Sequence, residues 1–100
     1  MGSAKEKAHV AEAQAKVREV NTMVQMYIDD NNGTEPKSLK FGEYWVNYGK
    51  LPASSGTNHI TYSYSDGIPG DGNYTIIGKY DGPGTAQDET YICDSQEGCY

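Results

Sequence analysis

The sequence predicts an α+β fold in which a long N-terminal helix packs on a three- to four-stranded antiparallel sheet. Three observations predict it. Apolar residues recur at steps of three and four through residues 4–31, the period of one helix face. Further on they alternate with a period of two, the pattern of a half-buried strand. Gly, Asn, Asp and Pro are concentrated between these periodic segments, where turns need them.

The helix comes first. Val10, Ala13, Val17, Val20, Val24, Tyr27 and Ile28 form one continuous stripe, and no Gly or Pro interrupts it. Asn31-Asn32-Gly33 supplies residues that accept a left-handed C-cap, and Pro36 prevents the helix from resuming. At about 1.5 Å per residue the helix is roughly 40 Å long, longer than a small sheet can cover, so its first turns are expected to protrude. The apolar stripe reads as changing character along its length. Ala4, Ala8, Ala11 and Ala15 are small and follow four-three-four spacing, whereas Val17, Val20, Val24 and Ile28 are larger. Small residues allow a second helix to approach, so the alanine face is expected to make subunit contacts. The larger residues are expected to form the helix–sheet core. The plainer reading is that the alanines only favour helix.

Residues 34–58 read as a loop region. Phe41, Tyr44, Trp45, Val46 and Tyr48 cluster there and suggest a short helix or turn lying across the core. The sheet is expected over residues 59–94. Ile60, Tyr62 and Tyr64 alternate with Thr61, Ser63 and Ser65, and a Gly-Ile-Pro-Gly-Asp-Gly turn follows. A second strand runs from Tyr74 to Tyr80, with Gly78 marking a bulge or a close contact. Asp81-Gly82-Pro83-Gly84 opens the next connection, and Glu89 to Asp94 is a third strand. Short connections imply an antiparallel meander.

A chain of 100 residues with 36% hydrophobic content suits one domain with a modest core. Nine tyrosines, against one Trp and one Phe, suggest half-exposed sheet faces and subunit contacts. The net charge is −6 and unevenly placed, because residues 41–100 hold two basic and eight acidic side chains. That half repels phosphates, and no nucleic-acid contact is expected. No apolar stretch is long enough to span a bilayer. Met1-Gly2-Ser3 resembles an expression scar, which suggests that a native N-terminus precedes residue 4.

Cysteine is confined to Cys93 and Cys99. A metal site usually needs four ligands, the histidines are only His9 and His59, and a Cys-x-x-Cys spacing is absent. A structural disulfide closing a loop over residues 93–99 is therefore favoured over a free or metal-bound pair, and it implies an oxidising compartment. Catalysis has little support. No nucleophile motif surrounds any serine, and the two histidines read as surface or capping residues. Asp66, Asp71 and Asp81 lie in Gly-rich turns that suit Ca²⁺, but the EF-hand spacing is missing, so simple turns are the favoured reading. No enzyme activity, cofactor or metal is expected.

The layout resembles the type IV pilin and pseudopilin family. Residues 4–33 are similar to the second half of that family's first helix, which ends in a Tyr, an Asp-Asn-Gly-like turn and then a Pro; here these are Tyr27, Asp30-Asn31-Asn32-Gly33 and Pro36. The meander and the Cys93–Cys99 pair resemble the family's sheet and its disulfide-closed C-terminal segment. The family's apolar N-terminal segment is not in this chain, so its assembly Glu has no counterpart here. An Asp-Pro-Trp-Gly-like segment is absent too, which ranks pilin above type II secretion pseudopilin. The resemblance implies a structural subunit that polymerises through its helix into an extracellular pilus for adhesion, motility or DNA uptake. Its partners would be copies of itself, other pilins, the assembly machinery and, before assembly, the inner membrane. A pseudopilin and a small secreted ligand-binding module are the alternatives.

Overall fold

The computed structural model describes residues 4–82 and 89–100. The expectations for Met1-Gly2-Ser3 and for the connection through Pro83 and Gly84 lie outside them. The elements are a helix, α1 (Ala4–Asp30), a small hairpin of β1 (Tyr44–Trp45) and β2 (Gly49–Lys50), and a meander of β3 (Ile60–Ser65), β4 (Thr75–Tyr80), β5 (Glu89–Asp94) and β6 (Gly98–Cys99). The meander is one four-stranded antiparallel sheet in the order β3-β4-β5-β6. The helix packs on one face of it, giving an α+β architecture. The long dimension, 46 Å, is set by the helix, about 40 Å at 1.5 Å per residue.

Helix and sheet meet where both are stripped of bulk. β4 alternates Ile76, Gly78 and Tyr80 toward the helix, all of them buried. A Cβ on Gly78 would stand 2.4 Å from Val17 Cγ2 and 3.4 Å from the Ala13 carbonyl oxygen. The ladder through Gly78 is unbroken, with Tyr62 opposite on one side and Tyr91 on the other. Gly78 is thus a close-contact point and not a bulge. Around it Val17, Val20 and Val24 are fully buried, together with Ala13, Met23, Ile60, Tyr62 and Cys93. Ile28 and Val10 pack against this core from its two ends and are only partly buried.

The helix stops as its sequence dictates. Asn32 and Gly33 take positive φ of 56° and 86°, and the Gly33 amide donates to the Ile28 carbonyl at 2.9 Å, which satisfies an otherwise orphaned acceptor. At the other end the helix is engaged further back than a small sheet suggests. His9 stacks on Tyr80 with ring centroids 5.9 Å apart, and Glu6, one turn earlier, is still half-buried.

The aromatic cluster of residues 41–48 forms a hairpin, not a helix. Asn47 has φ 75°, and the Tyr48 amide donates to the Trp45 carbonyl at 2.9 Å. A tight turn fits here because Asn tolerates the left-handed region. Trp45 and Tyr48 pack on Tyr27 at the helix end, the Tyr48 hydroxyl donates to Asp30 at 3.0 Å, and Phe41 stacks on Tyr62. Tyr44 and Val46 remain exposed. The outer edge of β3 is partly closed by the preceding loop. Ser55 bridges Ile60, and the Tyr62 amide donates to Ser54 Oγ at 3.0 Å. At the opposite edge β6 has only two residues.

The Gly78 contact sets the helix–sheet distance. Gly78→Ala should destabilise the protein by about 1–3 kcal/mol through overpacking. Combining it with Val17→Ala, which vacates the space, should cost less than the two single changes summed. Denaturant midpoints of the four proteins measure this, and simple additivity would show that the contact does not set the spacing.

Candidate functional site

The helix offers two faces with opposite roles. At about 100° per residue, the row Ala4, Ala8, Ala11 and Ala15 lies on the side of α1 opposite Val17, Val20 and Val24. The alanines are therefore not the early part of the core stripe, as the sequence suggests, but a separate face. All four are solvent-exposed. Thr22 and Met26 continue the same face toward the helix end and are exposed as well. Lys16 and Glu19 border it and form an i,i+3 ion pair at 3.7 Å, a weak surface contact.

The far end of the sheet is tied to α1 by polar side chains. Cys93 and Cys99 are directly opposite across β5 and β6 and are joined by a disulfide. Cys93 is fully buried. Asn21 accepts from the Tyr74 hydroxyl at 2.6 Å and points its amide at Cys99 Sγ, 3.9 Å away. Arg18 donates to the Tyr91 hydroxyl at 2.8 Å and also lies over that ring, 5.3 Å from its centroid. Sequence reasoning gave Tyr half-exposed positions, yet Tyr62, Tyr74 and Tyr80 are buried. Burial pushes the Tyr62 hydroxyl up to about 12.

A second cluster forms where the chain leaves the helix. Glu35 is 2% exposed, the one buried charged residue among those described. Its carboxylate accepts from the amides of Gly70 at 2.9 Å and Gly72 at 2.8 Å. Carboxylate oxygens of Glu35, Asp66 and Asp71 lie within 4.8 Å of one another. Hydrogen bonding to Asp66 and then backbone amides hold Glu35 down to about 2. The Glu35 carboxyl, followed by burial, pushes Asp66 up to about 6. The trio supplies three carboxylates that could face a cation, but two of them are already engaged. Both Glu35 oxygens already accept from backbone amides, whose dipoles oppose a cation there. Asp71 accepts from the backbone and side chain of Asn73. Ca²⁺ needs six or more oxygens. Glu35 was not visible as a site in the sequence, because nothing in Thr34-Glu35-Pro36 marks a buried acid; Asp66 and Asp71 were read as turn residues.

Of the other candidates, His59 is exposed in a positive-φ position of 57° at the start of β3, and its carbonyl accepts from Asp81 at 2.9 Å. That is a turn arrangement made by backbone atoms. A cleft of about 220 Å³ opens beside the hairpin, walled by Leu39, Trp45 and Leu51 with Lys40 and Glu43 among its lining. No helix among the described residues is long and apolar enough to cross a membrane. No family model, no curated protein and no solved structure matches this chain.

The disulfide closes a short loop, with a sequence separation of six, so the chain-entropy contribution is roughly 2 kcal/mol. Cys93→Ser/Cys99→Ser should lower the unfolding free energy by about that amount while far-ultraviolet circular dichroism keeps the α+β signature. Loss of the fold would show that the bridge does more than restrain the unfolded chain.

Proposed function

We propose that this chain is the globular head of a type IV pilin-like subunit, and that copies of it assemble into an extracellular filament through α1. One observation carries the reading. The helix buries one face in its own core and presents, directly opposite, a face of small residues that is open to solvent. Helices pack at axial separations of about 8–10 Å, and alanine contacts favour the lower end of that range. A row of alanines therefore suits a bundle of helices at a filament axis, with each sheet turned outward. The Cys93–Cys99 disulfide accords with an oxidising exterior. In this reading the work of the protein is mechanical and adhesive: the helix transmits load between subunits, and the sheet and hairpin meet the surroundings.

The reading is tested by enlarging the alanine face. Ala8→Leu and Ala11→Leu should leave the isolated chain nearly as stable as before, because both positions are exposed and Leu is a good helix former. In a helix bundle each should cost about 1–3 kcal/mol per contact through overpacking, repeated at every subunit. Thermal unfolding of the purified chain and immunogold electron microscopy of the cells that make it measure the two effects. Unchanged stability with lost filaments is the expected result. Normal filaments in the double variant, or no filament carrying the chain at all, would overturn it.

A further inference from the structure

The Glu35 cluster has an unmet requirement. Glu35 reaches across 35 and 37 positions to bind Gly70 and Gly72, so one carboxylate fastens the β3–β4 connection to the segment that follows α1. Asp66, at the root of that connection, holds Oδ1 out of solvent with no donor supplied by backbone or hydroxyl, so that only a proton held between the two carboxyls can join it to Glu35, whose own oxygens are engaged by amides. Its neighbours do not supply a donor. The Tyr64 hydroxyl, from β3, is given to the Pro36 carbonyl at 2.6 Å. The Tyr74 hydroxyl, from β4, is given to Asn21. Tyr27 of α1 acts electrostatically on Tyr64. Asp71, in the turn, adds a further negative charge, and Lys37 is exposed and offsets it only weakly. A buried, donorless carboxylate oxygen against a second carboxylate is unfavourable for both. A proton placed between them converts the repulsion into a hydrogen bond.

We propose that Glu35 and Asp66 share one proton and form a pH-sensitive latch, closed under mildly acidic conditions, that holds the β3–β4 connection against the chain after α1. The closed form keeps that proton from about 2, where Glu35 titrates, to about 6, where Asp66 does. Glu35 is depressed below its ordinary 4.5, so its contribution is present above that value and fades as pH falls through about 2. Asp66 is raised above its ordinary 3.8, so its contribution is complete below that value and is lost as pH rises through about 6. The latch is tightest near about pH 4 and levels off at a weaker hold above about pH 6.5. Opening would free the tip of the connection, where Ile68 is 71% exposed.

Nuclear magnetic resonance tests this in two measurements, both in buffer containing a chelator. The Asp66 carboxyl carbon of the unsubstituted protein should titrate with a midpoint near 6, and in Glu35→Gln the midpoint should drop toward the ordinary range. Exchange protection of the Gly70 and Gly72 amides should fall at least about tenfold between about pH 4 and about pH 7. In Asp66→Asn, whose amide is a permanent donor, it should stay flat. An Asp66 midpoint at its ordinary value overturns the proposal, even if a variant fails to fold. So does an equal loss of protection in Asp66→Asn, or a loss that follows the chelator and not pH, which would make a cation the occupant.

Discussion

The approach of Val17 to Gly78 is the constraint on which the rest of this fold depends. A sheet and a helix ordinarily stand apart, with side chains of both filling the gap. Here β4 contributes a bare backbone at its centre, and the helix answers with Ala13 and Val17, so the two elements close on each other. The larger residues then fall around that point. Ile76 and Cys93 fill one side, Tyr80 fills the other, and Tyr62 flanks it on β3. A modest hydrophobic content can support a core of this kind because the centre is backbone, which needs no bulky side chains to fill it.

Tyrosine hydroxyls supply the second level of organisation. The Tyr74 and Tyr91 hydroxyls meet Asn21 and Arg18 on the helix, Tyr48 reaches Asp30 at its end, and Tyr64 reaches the Pro36 carbonyl beyond it. Each ring adds apolar area to the core or its margin while its oxygen makes a directional bond to a particular partner. The apolar contacts hold the layers together, and these bonds specify how the helix is rotated and where along the sheet it lies. That rotation is what turns the alanine face away from the sheet.

The elements with strong periodicity were legible in the sequence. The helix ends within a residue of where Asn31-Asn32-Gly33 places it, and β3, β4 and β5 fall on the alternating segments. Those patterns are local and repeat several times. The hairpin at Tyr44 and Trp45 was not legible, because its strands have two residues each and its stability comes from Tyr27, far away in sequence. The alanine row was recognised but joined to the core stripe; counting the angle from Ala15 to Val17, about 200° at 100° per residue, separates them. Glu35 stayed hidden because its partners, Gly70 and Gly72, reach it only after the meander has formed.

The margins of the sheet carry a consequence for a protein that would work at high local concentration. β3 presents an edge whose upper part is already occupied by Ser54 Oγ and by the bridge to Ser55. The other margin is a two-residue strand clamped by a disulfide. Neither offers the long run of free amides and carbonyls that a foreign strand needs as a template. Crowded copies are thereby denied the cross-strand route into amyloid-like aggregates. The margins of this sheet therefore leave contacts between copies to side chains.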